Sequence, residues 1–237
     1  MRLFVTGSDT GIGKTFVSAG IVRALRALGR EAIAAKPVAS GCTEVDGIYR
    51  NADLDALAAV SSRCVGEIGV YGFTPAIAPH RAAELAGVEI RLAPMVSAIE
   101  RLGARHQDLI VEGVGGFAVP LSRSLMLADL VRALGMPLLL VVGVRLGCIN
   151  HALLSTQAIR AAGLPLLGWV ANRCEPAMDE AQASIDAIAE RVEAPLLGCV
   201  DHGEDALHAL ASRLLAASGE PATPAGVHAF PDVEARP

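Results

Sequence analysis

Short, uninterrupted apolar runs recur along the chain, each followed by a turn and then by a stretch of helical periodicity. Leu3, Phe4 and Val5 open the series as a short buried strand. Residues 16–28, rich in Ala and Leu, follow as a helix stopped by Gly29. Residues 31–36 predict a second strand closed by Pro37, and residues 38–50 a polar, glycine-containing loop. Residues 53–61 predict a helix with Asn51 as its N-cap. The stretch 70–79 reads as irregular and proline-bounded, with helices over 81–85 and 94–104. Residues 108–112 form the clearest strand, followed by a helix over 125–134 that Gly135 stops. Strands over 137–142, 166–171 and 195–200 then alternate with helices over 150–162, 179–192 and 204–217. Residues 218–237, rich in Pro, Ala and Gly, predict a flexible C-terminal tail.

Strands that are apolar throughout, alternating with helices, predict an α/β architecture: a single-domain P-loop NTPase-like fold over residues 1–217. Its parallel central β-sheet would carry helices on both faces. In such sheets ligands collect beyond the carboxyl ends of the strands. The glycine loop after Val5, Lys36, Glu112 with its glycines, residues 143–147 and Asn172 each follow a strand, so all are expected on one rim.

The first of these is the segment VTGSDTGIGKT at residues 5–15. Strand, glycine loop, Gly-Lys-Thr and helix together make a phosphate-loop signature. The glycines let backbone N–H groups wrap a polyphosphate, and the helix N-terminus adds its positive pole. Lys14 reaches the terminal phosphates, and the Thr15 hydroxyl is left for Mg²⁺. Five residues separate Gly7 from Gly13, where the common pattern has four.

Composition narrows the functional classes. A net charge of -5 gives no basic face for a phosphate backbone, and 3% aromatics give no platform for stacked bases. No nucleic acid is therefore expected. Cys42, Cys64, Cys148, Cys174 and Cys199 are scattered without a C-x-x-C pair, which points to reduced thiols. The first strand starts close to Met1, leaving no room for a signal peptide, and the longest apolar run, 136–144, is too short to span a bilayer. A cytoplasmic protein with no membrane partner is expected.

Several rim residues could do chemistry. Glu112 ends an apolar strand, where an acid commonly meets the metal of a phosphate-loop enzyme, although a strand-end glutamate can also be a solvated cap. Gly113, Gly115 and Gly116 favour the first reading, because they permit close backbone approach to a ligand. Magnesium prefers few carboxylates plus phosphate oxygens and water. Thr15, Glu112 and Asp53 would supply that shell, with a helix-dipole role as the alternative for Asp53. Lys36 is placed to meet an anionic substrate or a transferred phosphoryl group, and Ser40 to hydrogen-bond the substrate. The helix start after Gly147, Cys148 and Ile149 could hold a carboxylate, or Asn150 could simply cap it. The six histidines form no ligand-spaced pair, and Cys148 has no evident base beside it.

Five segments together resemble the dethiobiotin synthetase family: VTGSDTGIGKT at 5–15, KPVASG at 36–41, VEGVGG at 111–116, VVGVRLGCINH at 141–151 and GWVAN at 168–172. The five-residue gap in the phosphate loop is that family's own form. The resemblance implies an ATP- and Mg²⁺-dependent ligase of biotin biosynthesis. It would carboxylate 7,8-diaminononanoate with CO₂ or bicarbonate and close the ureido ring through a carbamic-phosphoric anhydride, giving dethiobiotin, ADP and phosphate. It further implies that Gly11, Ile12, Gly13, Lys14, Thr15 and Phe16 cradle the ATP phosphates, with Gly113, Val114 and Gly115 alongside, and that Asn172 reads the adenine. Thr15, Asp53 and Glu112 would hold magnesium, while Lys36 and Lys14 would be catalytic. Thr10, Lys36 and Ser40 would touch the substrate. Gly147, Cys148, Ile149 and Asn150 would receive its carboxylate from the neighbouring subunit of a homodimer. Two positions depart from the family pattern: Arg145 stands where lysine is frequent, and CVDHG at 199–203 replaces a proline-containing turn. The alternative is a partitioning or septum-positioning switch ATPase, which has a related glycine loop. The chain's last residues carry neither the basic amphipathic helix nor the lysine cluster of such proteins.

Overall fold

The expected strands pair side by side in a seven-stranded sheet in the computed structural model, which describes residues 1–174, 178–201 and 204–219. Strand β1 (Arg2–Gly7) leads through the glycine loop to α1 (Lys14–Ala27), and β2 (Ala32–Ser40) comes next. A hairpin of β3 (Thr43–Val45) and β4 (Ile48–Arg50) precedes α2 (Ala52–Ser61), α3 (Val65–Ile68) and β5 (Gly69–Phe73). Helices α4 (Pro79–Leu85) and α5 (Leu92–Gly103) lead to β6 (Asp108–Glu112), and α6 (Leu127–Leu134) leads to β7 (Leu138–Gly143). The chain then alternates α7 (Cys148–Ala161), β8 (Leu166–Asn172), α8 (Ala181–Ala189), β9 (Leu196–Val200) and α9 (Glu204–Ala217).

The sheet order is β5-β2-β6-β1-β7-β8-β9, and every neighbouring pair is parallel. The apolar runs explain this. Strands β6 and β7 are buried from end to end, so both faces need cover, and each fully buried Leu or Val contributes about 1.5–3 kcal/mol. On one face Leu140, Val142 and Trp169 pack with Ala152 of α7 and Ile185 of α8. On the other, Leu139, Val141 and Val170 join Val17 and Ile21 of α1 and Leu210 of α9. Helices α1 and α9 approach closely because Gly20 has no side chain; a Cβ there would lie 2.3 Å from Leu207.

Several expectations need correction. Pro37 does not close β2, which continues to Ser40. Pairing with β6 ends at Ala35, so the missing N–H of proline falls beyond that ladder. The stretch 70–79 is not wholly irregular, because Gly69–Phe73 forms an edge strand beside β2. Its glycines hid it, and Gly72 is needed for close packing: a Cβ there would sit 2.4 Å from that of Tyr49. The polar loop at 38–50 contains a hairpin turned by Asp46 and Gly47, both at positive φ (52° and 76°). Asn51 caps α2 as expected, accepting from Leu54 N at 2.9 Å. Asn150 is not a cap, since α7 starts at Cys148 behind Gly147 at φ 94°. The expected tail lies outside the described residues except for Ser218 and Gly219. Among the described residues no helix is long and apolar enough to cross a membrane.

At the amino ends of the strands, Asp108 carries a buried ionic cluster. Its carboxylate accepts from Arg30 Nε and Nη2 at 2.7 and 2.9 Å and from the amino group of Met1 at 2.6 Å, with all three groups shielded from water. Removing one partner strands the buried charges of the others. Asp108→Ala should therefore lower unfolding stability by about 3–5 kcal/mol. A urea unfolding midpoint unchanged from the parent would refute the cluster's importance.

Candidate active site at the carboxyl ends of the strands

The phosphate loop leaves β1 after Gly7 and turns into α1 through Gly11 and Gly13, whose φ values of 70° and 84° no side-chain-bearing residue adopts easily. Gly13 caps α1 without a side-chain hydrogen bond, so the first N–H groups of the helix face the loop. Lys14 folds back over it, and its ammonium donates to the Asp9 carbonyl at 2.8 Å. The loop encloses a cavity of about 370 Å³. Thr10 to Phe16 line it, with Lys36, Ser40, Asn51 and Asp53 on one side and Val114 and Gly115 on the other. A larger cavity of about 570 Å³, between α7 and the connection from α8 to β9, is lined by Leu153, Arg160, Val192 and Pro195 and contains none of these groups. The smaller one carries the chemistry.

Elements from across the sheet supply the charged groups, with Lys36 inside β2 rather than at its end. Lys36, projecting from β2 and 4% exposed, donates to Glu112 Oε1 at 2.7 Å and to Asp53 Oδ2 at 2.5 Å. Glu112, at the end of β6, is fully buried, and its Oε1 also accepts from Thr15 Oγ1 at 2.8 Å. Asp53, in the first turn of α2, is nearly half exposed. The positions flagged as Thr15, Lys36, Asp53 and Glu112 thus form one connected network. Burial alone would depress the Lys36 pKa, but Glu112 and then Asp53 outweigh it and raise the value above that of an ordinary lysine. Burial pulls the other way on Asp53, and Lys36 overcomes it to hold that carboxyl below its usual range. Lys14 is different. Desolvation dominates there, opposed by Glu112 and reinforced by Lys36, and its pKa falls to about 8.

The donor set fits magnesium. Thr15, Asp53 and Glu112 offer hard oxygens, and among the described residues Glu112 Oε2 is buried with no hydrogen-bond partner. No three His, Cys, Asp or Glu side chains among the described residues converge as an all-protein metal cage. The remaining ligands would then be phosphate oxygens and water, as magnesium prefers.

Other flagged residues lie further out. Asn172, at the end of β8 and buried, donates Nδ2 to the Ile12 carbonyl at 2.8 Å, while its Oδ1 has no partner among the described residues. It fastens the phosphate loop from beneath. Gly113 is packed in the core, where a Cβ would meet Phe4 and Leu127 at 3.0 and 3.1 Å. Gly115, at φ 65°, faces Thr10 instead. Gly147 to Asn150 form the start of α7 but do not line the cavity. Sequence reasoning missed Asp9, whose carboxylate meets Arg145, and a second role of Asn51, whose Nδ2 donates to the Ser40 carbonyl at 3.2 Å. An acid inside a phosphate loop was the available signal for the first; nothing local marked the second.

Comparison with known proteins agrees with this geometry. A family model described as an AAA domain matches residues 1–208. The ATP-dependent dethiobiotin synthetase BioD of Aromatoleum aromaticum is 49% identical over 201 residues, covering 84% of this chain and 89% of that one. The enzyme of that name from Pseudomonas aeruginosa is 48% identical, covering 86% and 90%. The chain belongs to the dethiobiotin synthetase family. Among solved structures, MinD in the MinC:MinD cell division complex of Aquifex aeolicus superposes with a TM-score of 0.59 at 15% identity, covering 91% of this chain and 96% of that one. That likeness shows the P-loop fold alone, and it leaves the switch-ATPase alternative unfavoured against relatives at nearly half identity.

The depressed Lys14 pKa has a testable sign. A polyphosphate favours the ammonium form, so binding nucleotide raises the pKa and takes up protons wherever the empty site is partly neutral, above about pH 8. Calorimetry of nucleotide binding at pH 9, in two buffers of different ionisation enthalpy, should show net proton uptake by the protein. Affinity should fall as pH rises from 7 to 9. Zero uptake at pH 9 would contradict the assignment.

Proposed function

We propose that the protein is a homodimeric ATP-dependent dethiobiotin synthetase that acts on 7,8-diaminononanoate and CO₂. The observation that carries this reading is Lys36: a buried ammonium clamped by Glu112 and Asp53 beside the phosphate loop. A cation held there, with no nucleophile and base paired at the rim among the described residues, suits a reaction whose difficulty is concentrated negative charge. One amine of the substrate takes up CO₂ to give a carbamate, and the carbamate oxygen attacks the γ-phosphorus of ATP and releases ADP. The second amine then attacks the carbamoyl carbon, loses its proton, and expels phosphate as the ring closes.

Each step asks the protein for positioning and charge neutralisation rather than covalent chemistry. The N–H groups of residues 11–16 would hold the phosphates, with Lys14 on the transferred one. Lys36 would balance the charge shared by carbamate oxygen and phosphoryl group, and its two carboxylate partners fix where that charge sits. Thr15, Asp53 and Glu112 would hold Mg²⁺, which when bound supplies neutralisation and alignment of the triphosphate. Thr10 and Ser40 would contact the diamine. Asn172 would present its unpartnered Oδ1 to the adenine amino group. The start of α7, from Gly147 to Asn150, with Gly147 and Asn150 exposed, would receive the substrate carboxylate of the neighbouring subunit's site, which accounts for its absence from the cavity of its own protomer.

The decisive assay tracks ADP release with and without the diamine and bicarbonate. Diamine-dependent release accompanied by dethiobiotin supports the reading; turnover indifferent to the diamine removes it. Lys36→Gln should retain nucleotide binding and lose roughly 10²–10³ in kcat, the cost of one preorganised charge-stabilising donor. Glu112→Gln should weaken the apparent Mg²⁺ affinity by about 10-fold or more. A Mg²⁺ titration superimposable on the parent's would show that Glu112 is no ligand.

A further inference from the structure

One acid in the phosphate loop has no part in the mechanism above. Asp9 makes contacts in three directions. Its Oδ1 accepts from the Thr10 N–H at 2.7 Å, and its Oδ2 accepts from Arg145 Nη2 at 2.5 Å. Its carbonyl oxygen receives the Lys14 ammonium at 2.8 Å. Arg145 lies in the turn between β7 and α7, and His151, in the first turn of α7, approaches the same carboxylate oxygen with Nδ1 at 3.7 Å. The β7–α7 junction is therefore tied to the middle of the phosphate loop across 136 residues of sequence.

The geometry points to Arg145 and Asp9 as positioning residues that hold the empty phosphate loop in its binding conformation. A loop of small residues with two left-handed glycines is intrinsically loose, and its N–H groups must converge before they can bind phosphate. Fixing it beforehand removes part of the ordering cost that nucleotide binding would otherwise incur. Asp9 is the point where such a tie is most effective. Its side chain orients the Thr10 N–H, and its carbonyl parks Lys14 over the loop. The carboxyl is held below its usual value, first by the Thr10 N–H and then, against a burial penalty, by Arg145, so it stays charged at neutral pH. Arg145 meets that carboxylate through Nη2 in a charge-assisted hydrogen bond, a role the family's frequent lysine could also fill. Once a triphosphate occupies the loop, the phosphates themselves order it. The tie should then matter for affinity and little for the chemical step.

This inference rests on the reading that the loop binds ATP, and a double-mutant cycle separates the two. The affinity for a nonhydrolysable ATP analogue with Mg²⁺, and kcat and KM for ATP, would be measured for the parent, Asp9→Asn, Arg145→Met and the double variant. Arg145→Lys would serve as the conservative control. Both side chains are about one-third exposed, so the variants should fold, which thermal melting checks. Each single change should weaken analogue affinity and raise KM by roughly three- to ten-fold, and the double variant should be no worse than either single one. Saturated kcat should stay within about two-fold of the parent, and Arg145→Lys should recover most of the affinity. Unchanged affinity in the variants, or strictly additive losses, would overturn the tie while leaving ATP binding intact. A fall in kcat at unchanged affinity would overturn it as well, because the pair would then be acting on the reacting groups. Failure of the parent to bind the analogue would remove both readings.

Discussion

Two buried lysines share one low-dielectric rim, and the way their charges are balanced governs the site. Lys36 is neutralised by Glu112 and Asp53, so its charge costs little to hold in place. Among the described residues Lys14 has only a carbonyl oxygen within hydrogen-bond reach, and its charge is expensive in the empty protein. The imbalance has a use. A cation that is poorly compensated before binding gains most from an arriving polyanion, whereas a fully paired one holds its geometry and lends its field to bonds that change. Phosphoryl-transfer sites require both behaviours, one for affinity and one for alignment.

The parallel sheet makes this arrangement possible. Lys36, Glu112 and the loop before Lys14 come from β2, β6 and β1, which are adjacent in the order of the sheet although up to 98 positions apart along the chain, Lys14 to Glu112. Because all the strands run the same way, Lys36 of β2, Glu112 at the end of β6 and the loop after β1 open on the same rim. Asn172 arrives from β8, two strands further on, and reaches under the loop instead of into the cavity. Strands β2 and β6 on one side of β1 thus supply charge, and β8 on the other side supplies fixation.

Much of this was legible in the residues themselves. Uninterrupted apolar runs such as 108–112 and 137–142 announced buried parallel strands, and the polar and glycine residues at their carboxyl ends announced the rim. The network of Thr15, Lys36, Asp53 and Glu112 came from strand ends and motif spacing. Contacts made across the sheet between unlike elements were not legible. Nothing in a linear pattern says that Asp9 meets Arg145, that Gly113 is a packing position, or that Asn51 holds Ser40. The edge strand Gly69–Phe73 was hidden for a local reason: two glycines in five residues erase the β-branched, aromatic signature on which strand recognition depends. Pro37 misled for the opposite reason, being a strong stop signal placed where no ladder partner needed its N–H.

The contact between Gly13 and Asn172 bears on how this architecture can change. An added Cβ at position 13 would lie 2.1 Å from the Asn172 amide nitrogen, so the amide occupies the volume where a side chain would stand. Gly13 is thus fixed twice, by its φ of 84° and by the amide beside it, and shortening Asn172 would release the Ile12 carbonyl it fastens. Neither position can be relieved by changing the other, which makes the underside of the loop the least negotiable part of the molecule for redesign toward another nucleotide.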